Sequence, residues 1–285
     1  MKKKMIIVFI MLIVLVAIYL IYGYFTSKKV VLSKYIIESN KIPDSFNEFK
    51  IIQISDLHDM KHIDEIYNNV ILENPDIIVM TGDMINFNSQ FNNELNVIKF
   101  IKKLENKYPI YYINGNHELK LEETDKKNNK NNYEKYKNEL IKNNVIMLDG
   151  EKIEIDKNGE KIYLYGLKET PKDYLKKNKN NISNKIEIDK THFNILLAHN
   201  PLKFELYEKM GFNLVLSGHV HGGEIRMPFI KGVLSPDRTL FPKYSKGEYN
   251  INDTKMILSA GLGDKTFKFR INNPYDLVCI TLRSK

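Results

Sequence analysis

Short apolar runs alternate with longer amphipathic stretches along most of this chain. FKIIQI, DIIVMT, YPIYYI, FNILLA and NLVLS are five or six residues long and rich in Ile, Val and Tyr, which is the signature of buried strands. HIDEIYNNVILEN, ELNVIKFIKKLEN and YEKYKNELIKNN fall between several of them, with apolar residues three and four apart, and these predict helices with one buried face. Strand alternating with helix points to a layered α/β fold. The C-terminal stretches GEYNINDTKMILSAGLG and INNPYDLVCITLRSK read as strands joined by turns, so some antiparallel pairing is expected. Two tracts rich in Lys and Asn, Lys120 to Tyr133 and Pro171 to Lys185, have no periodicity and are expected to be exposed loops or frayed helices.

The pattern breaks at the N-terminus. An uncharged, mostly apolar run from Met5 to Phe25 lies between lysines and is long enough to cross a bilayer as a helix, which takes about 20 residues at 1.5 Å each. A cleaved signal peptide is the competing reading, but its apolar part spans only about 7–15 residues and ends in small residues. Here Tyr22, Tyr24 and Phe25 occupy that place. The expectation is therefore a single-pass anchor with flanks over residues 1–34 and a body over residues 35–285. Lysines on both flanks leave the orientation nearly balanced, with a slight preference for an extracytoplasmic body.

Charge sharpens this picture. The net charge is +8, yet residues 1–34 hold six lysines and no acid, which leaves +2 for the body. The basic balance suits anionic lipid headgroups at the anchor, and no nucleic-acid partner is expected. The single cysteine, Cys279, excludes an internal disulfide and reads as a small buried hydrophobe.

Candidate chemistry stands at the strand ends. The five runs are followed by SDLHD (Asp56, His58), GD (Asp83), NGNHE (Asn116, His117), AHNP (His199) and GHVHGG (His219, His221). Carboxyl ends of strands in α/β sheets line the ligand crevice, so residues spread over most of the chain are expected to converge there. Five of the seven histidines take part, whereas His62 and His192 carry no such context. One ion needs three or four side chains. A set this large suits two ions about 3.5–4 Å apart that share a carboxylate and clamp a phosphoryl group. The mixture of oxygen and imidazole donors suits Mn, Fe or Zn better than calcium.

The ordered set DLH, GD, GNHE, AHNP and GHVHGG resembles the five-block signature of calcineurin-like metallophosphoesterases, and MILSAGLG with FKFRINNP resembles its membrane-anchored or exported bacterial branch. The resemblance implies a two-sheet β-sandwich flanked by helices in four α/β/β/α layers. It implies Asp56, His58 and His221 on a first divalent metal ion, Asn116, His199 and His219 on a second, and Asp83 as the bridge. His117 would face the substrate phosphate as a catalytic group, and a carboxylate at Glu118 would hold its imidazole. Apart from the resemblance, the guanidinium of Arg226 or Arg270 is a candidate to fork onto a second phosphate oxygen, with a surface ion pair as the alternative for each.

The function so implied is a membrane-anchored hydrolase of phosphodiester or pyrophosphate bonds, working through a metal-bridging hydroxide. An alternative within that class is a pyrophosphatase acting on lipid headgroups or nucleotide-activated lipids at the membrane surface. Readings of other kinds are a catalytically silent, tethered binding module and a nuclease, the last weakened by the small charge of the body.

Overall fold

The computed structural model describes residues 2–58, 60, 62–91, 95–174, 186–227, 231–235, 238–264 and 270–285. It opens with the apolar helix α1 (Lys2–Thr26), whose one buried residue is Gly23. Then follow β1 (Val30–Ser39), β2 (Phe49–Ile54), α2 (Ile63–Glu73), β3 (Ile77–Met80), α3 (Asn96–Lys103), β4 (Ile110–Tyr112), α4 (Asn116–Lys127), α5 (Asn132–Lys142) and β5 (Val145–Met147). The second half holds β6 (Lys152–Lys157), β7 (Glu160–Gly166), β8 (Phe193–Leu197), α6 (Phe204–Met210), β9 (Leu214–Ser217), the short β10 (Arg226–Met227) and β11 (Lys231–Gly232), β12 (Gly247–Ile251), β13 (Thr254–Leu258) and β14 (Tyr275–Ser284).

Among the described residues, twelve of the strands form two six-stranded sheets, ordered β1-β14-β2-β3-β4-β5 and β12-β13-β9-β8-β7-β6, and β10 and β11 pair with each other. One apolar cluster lies between them, with Ile51, Val79 and Ile280 from the first sheet against Ile195, Leu216 and Ile257 from the second. A second cluster packs α2, α3, α4 and α5 onto the outer face of the first sheet. A third packs α6 through Phe204 and Tyr207 onto the second. This is the expected helix–sheet–sheet–helix layering. Alternate residues of a strand point to opposite faces, and both faces of these sheets are covered, so β3, β8 and β9 are buried at every position. Continuous runs such as IIVM therefore appear instead of an alternating pattern.

The C-terminal expectation also holds: β12 and β13 make an antiparallel hairpin, and β14 pairs antiparallel with β2 and parallel with β1. Cys279 is buried on β14.

The first Lys/Asn tract is more ordered than a loop. Helix α4 runs through Lys127, supported by Lys126–Glu122 and Lys127–Glu123 pairs one turn apart and anchored by buried Leu121. Buried Asp125 then accepts the Tyr133 N–H at 2.8 Å and ties α4 to α5. Most of the second tract, residues 175–185, lies outside the described residues.

Candidate metal centre

The loops after β2, β3, β4, β8 and β9 meet at one edge of the sandwich. Three of these strands belong to one sheet and two to the other, so the site spans both sheets rather than lying in the crevice of one. Among the described residues, three overlapping groups place their donor atoms within 4.8 Å of one another: Asp56, His58 and His221; His58, Asp83 and His117; Asp83, His199 and His219. Asn116 joins the last group, its Oδ1 lying 2.7 Å from His219 Nδ1. All seven predicted ligands and His117 are thus brought together. Asp56, His58, Asp83, His199 and His221 are buried, and Asn116 and His219 are half-buried.

The backbone is bent to aim these side chains. Asp56, His58, Asp83, His219 and His221 all have φ between 46° and 75°, the left-handed region, which costs a non-glycine residue on the order of 1–2 kcal/mol. Such conformations persist only where the surroundings over-determine them, and here they do. Asp56 N–H donates to Gly82 O at 3.0 Å and His58 N–H to Asp83 O at 3.2 Å. The His219 N–H lies 3.0 and 3.2 Å from the two Asp56 oxygens, and Ser55 Oγ donates to Asp56 Oδ2 at 2.6 Å. Gly218 is required by this crowding, because a Cβ there would stand 1.9 Å from Ser55 Oγ and 2.4 Å from Asp56 Oδ2.

The donor set fits a cation. His199 Nδ1 is 2.7 Å from the Thr81 carbonyl, to which it must donate. Its Nε2 lone pair therefore faces Asp83 Oδ2 at 3.3 Å, without a hydrogen bond among the described residues. Two electron-pair donors facing each other in a buried site need a positive charge between them. Proton equilibria register the same demand. Burial works to lower the His199 pKa, but the charge of Asp83, with Asp56 and Glu169 behind it, lifts it to about 10, so that a proton on Nε2 meets this demand when no cation does. Burial likewise opposes ionisation of Asp83, and the neighbouring His199 and His117 hold it well below the usual carboxylate range. A second crowded point is His58 Nε2, 3.3 Å from His221 Nε2, which is itself 3.3 Å from Asp56 Oδ1.

His117 sits beside the shared carboxylate. Its backbone N–H donates to Asp83 Oδ1 at 2.8 Å, and its Nε2 lies 3.9 Å from Asp83 Oδ2. The Phe87 N–H donates to Nδ1 at 3.3 Å, so the neutral ring carries its proton on Nε2. Glu118 does not hold this imidazole as expected. Its Oε2 accepts from the Asp83 and Gly115 N–H groups, and its Oε1 from the Met84 and Ile85 N–H groups and the Tyr112 hydroxyl. The longer side chain reaches past the imidazole into the loop that carries Asp83, and braces it.

The arginines divide. Arg226 Nη1 donates to Gly222 O at 2.9 Å and lies 3.3 Å from Ser245 Oγ, and so supports the GHVHGG turn from behind. Buried Arg270 reaches the site: Nη2 donates to Gly263 O at 2.6 Å and lies 3.3 Å from His221 Nδ1. Its Nη1 has no hydrogen-bond partner among the described residues.

Sequence reasoning missed one wall of the site. Glu169 and Asp173 are buried and Tyr174 half-buried, although Asp173 and Tyr174 belong to the tract read as solvated surface. The Tyr174 ring packs 5.1 Å from that of His219 and 6.2 Å from that of His199. Its hydroxyl donates to Glu169 Oε2 at 2.8 Å, and the same oxygen accepts the His199 N–H at 3.1 Å. Asp173 forms a buried ion pair with Lys203 at 2.7 Å. The signal available was Tyr174 itself, an aromatic residue inside an otherwise polar tract. His62 and His192 stand apart, His62 tilted on the Tyr275 ring and His192 paired with Asp189 at 2.8 Å.

Comparison with known proteins places this arrangement. The family model for calcineurin-like phosphoesterases matches residues 49–223. The chain is 28% identical over 260 residues to the uncharacterized metallophosphoesterase YkuE of Bacillus subtilis, covering 88% of this chain and 85% of that protein. It is 24% identical over 230 residues to YkoQ of the same organism, covering 79% and 80%. A transmembrane protein with metallophosphoesterase domain from Bos taurus is 26% identical over 237 residues, 73% of this chain and 50% of that one. The matched span exceeds half of the chain and contains every residue of the His/Asp groups, and the chain belongs to the calcineurin-like phosphoesterase family.

Proposed function

We propose that this protein is a membrane-anchored phosphoesterase with two divalent metal ions, hydrolysing phosphodiester or pyrophosphate bonds. The observation that carries the reading is that Asp83 belongs to two of the three His/Asp groups, with His58 and His117 in one and His199 and His219 in the other, while His58 links the first of these to Asp56 and His221. Asp56, His58 and His221 would hold one ion, Asn116, His199 and His219 the other, and Asp83 would serve both. Bound there, such ions supply a hydroxide near neutral pH and absorb charge on the phosphoryl group.

The protein's own residues would do the rest. His117 would present its Nε2–H to a phosphoryl oxygen or to the leaving oxygen, with the Phe87 N–H holding the tautomer. Arg270 would offer its Nη1, which has no hydrogen-bond partner among the described residues, to another phosphoryl oxygen. Tyr174 and Glu169 would keep His199 and His219 in place, because outer contacts of this kind orient metal-bound imidazoles.

Helix α1 has the length and apolarity of either an anchor or a signal sequence. Retention is favoured by its docking: Asn272 N–H donates to Gly23 O at 3.0 Å and Asn273 N–H to Ser27 Oγ at 2.9 Å. A segment destined for removal would leave these groups of the folded domain unmatched. The division proposed is residues 1–34 for the anchor and its flanks and 35–285 for the catalytic domain, on the extracytoplasmic side.

The test uses the full chain in detergent, stripped of metal, with a chromogenic phosphodiester and added Mn²⁺. Metal-dependent turnover that disappears in Asp83→Asn supports the proposal. A folded protein that binds metal but cleaves neither diester nor pyrophosphate would instead be a silent binding module.

A further inference from the structure

The anchor does not hang from a free linker. Its last turn is packed into the domain beside the metal centre. Gly23 is buried, and a Cβ there would lie 2.7 Å from the Asn272 side chain. Asn273 is engaged on both sides: its N–H bonds to Ser27 Oγ, and its Nδ2 donates to the carbonyl of the candidate ligand His221 at 2.7 Å. Lys28 pairs with Asp264 at 3.4 Å, and Asp264 lies 3.4 Å from Arg270 Nε. One intervening side chain therefore separates the end of a bilayer-length helix from a side chain of the site.

The same docking loop continues into an exposed strip. Arg226 N–H donates to Ile271 O, Val233 N–H to Ile225 O, and Phe241 N–H to Val233 O. Three such steps carry the surface about 14 Å sideways from the helix end. Outside α1, eight large apolar side chains are exposed among the described residues, and three of them, Met227, Leu240 and Phe241, lie on this strip. Leu240 and Phe241 are 63% and 62% exposed, with Lys231 and Arg238 exposed nearby. Apolar side chains that dip below the headgroups, next to cations that meet lipid phosphates, compose a surface suited to an anionic bilayer.

We propose that the strip carrying Met227, Leu240 and Phe241 lies on the bilayer surface next to the anchor, and holds the mouth of the metal centre against the lipid headgroups. This rests on the anchor reading and deepens it. The occupant of the strip is lipid rather than a second protein, because the strip is continuous with the docking loop of a helix that itself has the length and apolarity to enter the bilayer. The consequence for function is a site that meets phosphate esters displayed by lipids without their leaving the membrane.

The chain contains no tryptophan, so Phe241→Trp introduces a single indole whose emission reports its surroundings. The full chain carrying it is reconstituted in vesicles of phosphatidylcholine and phosphatidylglycerol, with and without brominated phosphatidylcholine. Ile141→Trp, on α5 at the far edge of the first sheet, is the control. That helix packs beside β5, five strands from β1, about 24 Å away. Seating predicts that the indole emission of Phe241→Trp is blue-shifted and falls by about half or more with brominated lipid, while that of Ile141→Trp does not respond. Equal exposure of both variants to water overturns the proposal, and so does equal quenching of both, which would mean that the domain has no fixed pose. Hydrolysis of a soluble diester by the same preparations is read separately, so absence of catalysis and absence of seating are distinguishable.

Discussion

Replacing Gly218 by Ala tests whether Asp56 is held by crowding. The new methyl group would stand 1.9 Å from Ser55 Oγ and 2.4 Å from Asp56 Oδ2, against an ordinary contact distance of about 3.5 Å. The neighbouring groups must yield by about 1.5 Å to restore that distance. They cannot yield separately, because Ser55 Oγ is bonded to Asp56 Oδ2 and the His219 N–H bonds both Asp56 oxygens. The displacement therefore reaches one candidate ligand of each ion. Overpacking costs about 1–3 kcal/mol of stability, and a misplacement near 1 Å costs about 10²-fold in rate. The assay is kcat/KM for metal-dependent hydrolysis of a soluble diester, with metal content per chain and Tm on the same samples. Gly218→Ala should lose about 10²-fold or more in kcat/KM and bind less metal while remaining folded. Adding Ser55→Ala removes the nearest clash and should recover part of the loss. Gly159→Ala, where nothing lies within 4 Å and φ is +83°, should cost about 1 kcal/mol and leave turnover intact. Wild-type turnover and metal content in Gly218→Ala would refute the reasoning.

Two further predictions concern the walls of the site. Glu118→Ala strips acceptors from four buried N–H groups and the Tyr112 hydroxyl, at about 1–3 kcal/mol for each group left unmatched. The denaturant midpoint should fall by an amount worth several kcal/mol, and an unchanged midpoint would show that Glu118 braces nothing. Asp173→Ala removes the carboxylate that Lys203 pairs with at 2.7 Å in a buried site, at a cost of up to about 3–5 kcal/mol, whereas the double change to Asp173→Leu and Lys203→Met should cost less. Burial acts to raise the Asp173 pKa, but its bonds from Lys203 and Thr170 hold it below the ordinary value. Its stabilising effect is therefore complete above pH about 4 and is lost as pH falls below that. Wild-type Tm should drop through this acid range more steeply than that of the double variant.

Much of the core and of the site was legible because buried strands and metal ligands each leave a local mark. FKIIQI is β2 from end to end, and NLVLS contains β9. The blocks after the strands hold every member of the three His/Asp groups. What was not legible depends on side-chain reach and on distant contacts. The extra methylene of Glu118 sends its carboxylate to the Asp83 loop, and composition cannot show that direction. Tyr174 and Asp173 looked like surface because their neighbours in sequence are polar, yet Tyr174 packs on His219 and Asp173 pairs with Lys203, both from other segments. The polar stretch from Lys120 to Lys127 is helical through pairs one turn apart, which a search for apolar periodicity does not register. Nor could the sequence show that Gly23 and Ser27, at the end of the apolar run, are fitted to Asn272 and Asn273.

In the proposed site two ions share Asp83. Metal-free full-length protein titrated with Mn²⁺ and followed by electron paramagnetic resonance tests it directly. We expect two ions per chain at saturation with the signature of an exchange-coupled pair, and loss of that coupling in Asp83→Asn. An isolated single-ion signal at saturation, or two ions without coupling in the wild-type chain, would contradict it.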